Sequence, residues 1–96
     1  PPGTDIDDAL LADAAERELA TRYAALAPQA EQLFAGREYT RYMELLATLR
    51  EPVDAFFDGV MVMCEDPRLR ANRLALLGRL HALFTRVADI ARLHEP

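Results

Sequence analysis

Residues 50–63 read REPVDAFFDGVMVM, residues 64–67 read CEDP and residues 68–92 read RLRANRLALLGRLHALFTRVADIAR. These three pieces decide the fold. From about Pro52 to Met63 the first is nearly all apolar apart from Asp54 and Asp58, and it predicts a helix over about 52–63. The second ends in Asp66-Pro67, a capping side chain followed by a proline at the first helical position. The third predicts a long helix over about 67–92 carrying six arginines, Arg68, Arg70, Arg73, Arg79, Arg86 and Arg92. A short connection makes the two helices antiparallel neighbours.

Upstream, Thr4 or Asp5 can cap a first helix, with Asp7 and Asp8 in the first turn where acids suit the helix dipole. Leu11, Ala15, Leu19, Tyr23 and Leu26 fall at helical spacing. Pro28 is expected to end that helix and open a short one over about 28–35, terminated by Gly36. A third helix over about 37–49 places Tyr39, Tyr42, Met43, Leu46 and Leu49 on one face. Val53, Phe56, Phe57 and Val60 form the expected buried stripe of the fourth. Leu69, Leu76, Leu77, Leu80, Leu83, Phe84 and Val87 form that of the fifth. No repeat, low-complexity tract or strand-like alternation interrupts the pattern. The expectation is one all-α domain over 1–96, an up-down bundle of about five helices. Residues 1–4 are expected to be disordered and 93–96 a frayed tail. Without an initiator Met, the chain reads as a piece of something longer.

The 96 residues are 51% hydrophobic, which excludes a disordered chain. All eleven positive charges are Arg, a bias that by itself says little about phosphate binding. The net charge of −5 is unevenly spread: residues 1–36 carry −5, residues 37–63 carry −2 and residues 64–96 carry +2. Only the last helix is basic, so a nucleic-acid partner should meet that end. The lone Cys64 makes no intrachain disulfide and fits a reducing cytoplasm. No run approaches the roughly 20 apolar residues of a membrane span, and no signal peptide is evident.

No P-loop, GxGxxG, HExxH or nucleophile elbow is present. Asp54 and Asp58 share a helix face and have the spacing of an acid/base pair. A structural role is the favoured reading. Arg73 falls within the apolar face set by Leu69, Leu76 and Leu80, where a guanidinium needs a carboxylate. The expected pair is Arg73 with Asp58 or Asp54, across the hairpin. Arg68, Arg79 and Arg86, spaced 11 and 7 apart, return to nearly one helical angle, with Asn72 beside them. They make a candidate RNA-phosphate ladder, or else an ordinary solvated face. His81 on the polar side invites a histidine phosphotransfer reading. Phe84, however, stands where that family usually has Lys, so a surface His is favoured. Met61, Met63 and Cys64 could suggest a soft metal, but core filling is the better reading and no metal site is expected.

The central stretch also carries a resemblance. Leu49-Arg50-Glu51-Pro52-Val53-Asp54-Ala55-Phe56-Phe57-Asp58, Val60-Met61-Val62-Met63, Arg70, Asn72-Arg73-Leu74 and Ala88-Asp89-Ile90 closely resemble the C-terminus of the beta subunit of bacterial glycyl-tRNA synthetases. The likeness is strong over about 49–93 and looser upstream. It implies an all-helical anticodon-binding domain of the DALR type, also found in arginyl-tRNA synthetases. It implies a parent of two alpha and two beta subunits that joins glycine to its tRNA with ATP and magnesium. The adenylate chemistry would lie on the alpha subunit. This piece would then hold the anticodon arm of glycine tRNA, with no cofactor or catalytic residue of its own. The last helix reads Ala88-Asp89-Ile90-Ala91-Arg92 rather than a literal Asp-Ala-Leu-Arg, so no residue role is carried over. The alternative is a helical docking domain of the same enzyme with little RNA contact. The acidic net charge leaves room for it. Tyr39 and Tyr42 are candidate base-stacking platforms, though core roles are favoured.

Overall fold

The computed structural model describes residues 6–93. Asp8–Leu10 make a 3-10 turn, followed by α1 (Ala14–Ala35), α2 (Tyr39–Ala47), α3 (Arg50–Gly59) and α4 (Pro67–Leu93). The fold is all-α, with no strand among the described residues. Among the described residues four α-helices form rather than five, because Pro28 lies inside α1 instead of ending it. The first helix starts later than expected, at Asp13, whose N–H donates to Glu16 Oε1 at 3.3 Å. The expected disorder at 1–4 lies outside the described residues. Of the expected tail, Leu93 is the last residue of α4 and the remainder lies outside them.

The cross-links between elements give the topology. Glu16 meets Arg73 and Glu31 meets Arg86, so α1 and α4 run parallel. Tyr42 on α2 reaches Leu83, and Met61 after α3 reaches Arg73, so α2 and α3 run back between them. The bundle is therefore three rods, up, down and up, with the middle rod in two pieces. The break at Thr48-Leu49 is a tightening of the turn. Thr48 N–H donates to Leu45 O at 3.1 Å and Leu49 N–H to Leu46 O at 3.0 Å, both i→i+3 bonds. Pro52 then sits in the first turn of α3, where no intrahelical N–H is needed. The start of α4 is as expected: Asp66 Oδ1 accepts from Arg68 N–H at 2.9 Å.

The core is formed by Leu19, Leu26 and Ala30 of α1, Tyr42 and Leu46 of α2, Phe56 of α3 and Leu76, Leu80, Leu83 and Ile90 of α4. Three rods bury narrower stripes than a five-helix bundle. Phe57 is therefore 58% exposed, and Met43 and Phe84 also face outward, although sequence spacing placed all three inside. Met61 and Met63, expected to fill the core, are 71% and 67% exposed.

Tyr42 is fully buried, and its hydroxyl donates to Leu83 O at 2.7 Å. Burial pushes its phenol above the ordinary value of 10.0, with Arg86 pulling the other way. The folded state thus holds this proton more tightly than the unfolded chain. That stabilisation is complete below pH 10 and is lost as pH rises through the folded value. Tyr42→Phe is expected to cost about 1 kcal/mol at neutral pH. It should also flatten the alkaline fall in stability, measured by urea unfolding between pH 8 and 11.

Candidate nucleic-acid interface

The six arginines of α4 occupy different surroundings. Arg68 is exposed, and its guanidinium makes no hydrogen bond or ion pair among the described residues. Arg70 Nη1 donates to Cys64 O at 3.2 Å and closes the loop before α4. Arg79 is half-buried and lines a cleft of about 340 Å³ with Ile6, Asp8 and Tyr23. Arg86 donates to Glu31 Oε1 at 2.7 Å, and its Cζ lies 4.6 Å from the centre of the Phe34 ring. Arg92 is exposed in the last turn. Arg68, Arg79 and Arg86 thus keep one helical angle but not one environment, and only Arg68 is fully open to a phosphate.

Asn72 is not beside an open stripe. It is buried, and its amide clamps the residue 7 backbone: Asp7 N–H donates to Oδ1 at 2.7 Å, and Nδ2 donates to Asp7 O at 3.1 Å. The clamp holds the segment before α1 against α4.

Arg73 is buried and paired, as its position on the apolar face requires, but its partner is not on α3. Glu16, 0% exposed, accepts from Arg73 Nε through Oε2 at 3.2 Å and from Nη2 through Oε1 at 3.3 Å. Asp13 Oδ2 lies 3.7 Å from Nη2, and Nη1 donates to Met61 O at 2.6 Å. The Glu16 hydrogen bond holds the guanidinium above its ordinary value, so it stays charged. Asp54 instead faces Arg50 at 4.0 Å on the surface, and Asp58 is exposed. The physical reason is topological: α3 packs against α1, so its acids cannot reach into the α1–α4 seam. The signal for Glu16 was present in the sequence, since it lies three residues before Leu19 and seven before Tyr23 on the apolar stripe.

The α1–α2 turn holds a basic residue that spacing did not single out. Glu38 N–H donates to Leu33 O at 2.9 Å and Arg37 N–H to Phe34 O at 3.1 Å, the paired bonds of a Schellman cap. The position after the C-cap, usually glycine, is Arg37 at φ 60°. Gly36 precedes it at an ordinary negative φ. A left-handed arginine costs about 1 kcal/mol relative to glycine, and its exposed side chain has no partner among the described residues. Of the two tyrosines, Tyr42 is sealed in the core and offers no platform. Tyr39 is half-buried, 5.7 Å from Phe34 between ring centres.

A different surface lies at the opposite end. Phe57, Met61, Met63 and Leu74 are exposed around the α3–α4 connection. Residues 51–67 carry Glu51, Asp54, Asp58, Glu65 and Asp66 and no basic side chain. Cys64 Sγ donates to Asp66 O at 3.7 Å, and His81 is exposed. Among the described residues no three His, Cys, Asp or Glu side chains come together as metal ligands. No described helix is long and apolar enough to cross a membrane.

Fold and site together define an all-α module with its arginines concentrated on α4 and a cluster of aromatic rings where α1, α2 and Arg86 meet. Residues 2–92 match the DALR anticodon binding domain, and the chain belongs to that family. It is 57% identical over 88 residues to the glycine–tRNA ligase beta subunit of Leptothrix cholodnii, a match covering 92% of this chain and 12% of that protein. It is 52% identical over 88 residues to that of Delftia acidovorans, with the same coverage. It is 53% identical over 90 residues to that of Shewanella sp. strain ANA-3, covering 94% of this chain and 13% of that protein. The chain thus spans about an eighth of the length of these relatives.

Proposed function

We propose that this domain holds the anticodon arm of a glycine tRNA as a module of a cytoplasmic glycyl-tRNA synthetase beta subunit. The parent would assemble two alpha and two beta subunits. ATP, magnesium and the attachment of glycine would belong to the alpha subunit, and this domain would supply positioning and recognition. One observation carries the reading: the family match runs along 2–92, almost the whole described chain. The likeness to beta subunits named for glycine–tRNA ligase supports the choice of tRNA.

The test is a titration of the chain with a glycine-tRNA anticodon stem-loop, followed by amide NMR at low and then moderate salt. Binding is expected to be saturable. If three phosphates are neutralised, affinity falls roughly 20- to 40-fold for a fourfold rise in salt. An absence of shifts even at low salt would remove RNA holding from this domain.

A second reading has its own observation. Phe57, Met61, Met63 and Leu74 are large apolar side chains left exposed near the α3–α4 connection, which suits docking onto another part of the enzyme. It predicts that Met61→Ser or Leu74→Ser weakens assembly of the parent enzyme without changing stem-loop binding.

A further inference from the structure

We propose that the end of the bundle built from Glu31 and Phe34 of α1, Arg37 of the α1–α2 turn and Arg86 of α4 is a nucleobase-stacking site. The inference rests on the anticodon-arm reading and names where in the domain an unpaired base is held. Arg86 is the platform. Its guanidinium sits on the Phe34 ring, 4.6 Å from the ring centre, and Glu31 fixes its rotation through a 2.7 Å hydrogen bond. The Phe34 ring is itself backed by Tyr42 and Tyr39, at 5.5 and 5.7 Å between ring centres. One face of the guanidinium is therefore occupied and its orientation set, while the side chain remains 31% exposed. Its charge is secure, because the Glu31 hydrogen bond holds it above its ordinary value. A guanidinium held over a ring by a fixed carboxylate partner, with part of its side chain exposed, is suited to stacking a single-stranded base.

Arg37 supplies the second element. The Schellman cap places its backbone at φ 60°, where glycine would be easier, and its guanidinium is unengaged among the described residues. Strain kept at an exposed, unpartnered cation points to a use for that cation. The Arg37 backbone is tied to Phe34 O at 3.1 Å, so it stands beside the residue that seats Arg86. It is suited to the phosphate flanking the stacked base. The ligand class is an unpaired nucleobase with its adjoining phosphodiester. Arg86 acts in this site as a plane rather than as a rung of a phosphate ladder.

The experiment measures the affinity of a labelled glycine anticodon stem-loop, across a salt series, for the wild-type chain, Arg86→Lys and Arg37→Gly. Thermal unfolding of each protein is recorded alongside. Arg86→Lys keeps the charge and loses the plane, so affinity should fall about tenfold with an unchanged salt slope. Arg37→Gly should weaken binding several-fold and reduce the salt slope by about 0.7. It should also raise Tm by a few degrees, because glycine relieves the left-handed position. A more stable protein that binds RNA less well is not what a merely structural arginine would give. Wild-type affinity in both variants overturns the stacking site while leaving anticodon binding intact. Failure of the wild-type chain itself to bind overturns the anticodon reading and this site with it. If Arg86→Lys unfolds, Arg37→Gly alone decides, since its backbone accepts glycine without strain.

Discussion

Glu16→Ala is expected to destabilise the domain by about 3–5 kcal/mol, because it leaves Arg73 buried without its carboxylate. A chain of this length has roughly 5–14 kcal/mol in total, so the loss is a large share. It corresponds to a drop in Tm of roughly 15–30 °C. Arg73 would retain Met61 O at 2.6 Å and Asp13 at 3.7 Å, but Asp13 is half exposed and cannot replace two direct hydrogen bonds. The decisive comparison is the double variant Glu16→Leu with Arg73→Met. Replacing a buried ion pair by apolar residues of similar size is often neutral or favourable. Met61, whose carbonyl would lose its donor, is 71% exposed, so water can satisfy it. The double variant should recover most of the stability lost by Glu16→Ala, as read by urea unfolding. A single variant within 1 kcal/mol of wild type would show that the pair matters little. A double variant no better than the single would show that Arg73 itself, not its pairing, holds the seam.

What the sequence made legible follows from which properties are local. Helix type, the Asp66-Pro67 start and the burial of Arg73 all follow from spacing along one helix, and each is seen. The family resemblance carried by REPVDAFFD and VMVM is likewise a property of consecutive residues, and the family match spans 2–92. The partner of Arg73 is a tertiary fact. Spacing places it on a buried face but does not say which helix lies opposite, and the carboxylate that meets it comes from α1 rather than from the neighbouring α3. Glu16 is 57 residues away in the chain. The outward Phe57 and Phe84 have the same origin, since the width of a buried stripe depends on how many rods surround it. The arginine stripe was read at the right angle, but Arg86 became a stacked, paired group only because the C-terminal end of α1 lies beneath it. The left-handed Arg37 had no sequence signal, because Gly36 beside it is the residue that turn chemistry favours for that conformation.

Pro28→Ala is expected to stabilise the domain by about 2 kcal/mol. Proline inside a helix costs about 3 kcal/mol relative to alanine. Part of that is offset because proline also restricts the unfolded chain, by about 0.4–1 kcal/mol. Pro28 is the fifteenth residue of the 22-residue α1, well past the first turn in which its missing N–H would be harmless. Its ring faces the Ala24 carbonyl, which loses its helical donor. Two features make this tolerable. Pro28 and Ala24 are both exposed, so water can reach the freed carbonyl. Gln29 Nε2 also donates to Ala25 O at 3.3 Å, bracing the same turn. Packing does the rest: Leu26 and Ala30 are buried on either side, so the helix is held continuous through a residue that disfavours it. If α1 is one rod under tension, alanine removes the tension and Tm rises by roughly 8–16 °C. The amide at position 28 then gains an i→i−4 bond to Ala24 O and becomes protected from hydrogen exchange. If residues 14–27 and 28–35 instead behave as two helices meeting at the proline, as the sequence suggests, alanine gains little. Tm then stays put, and the amide at 28 exchanges as fast as those of an exposed turn.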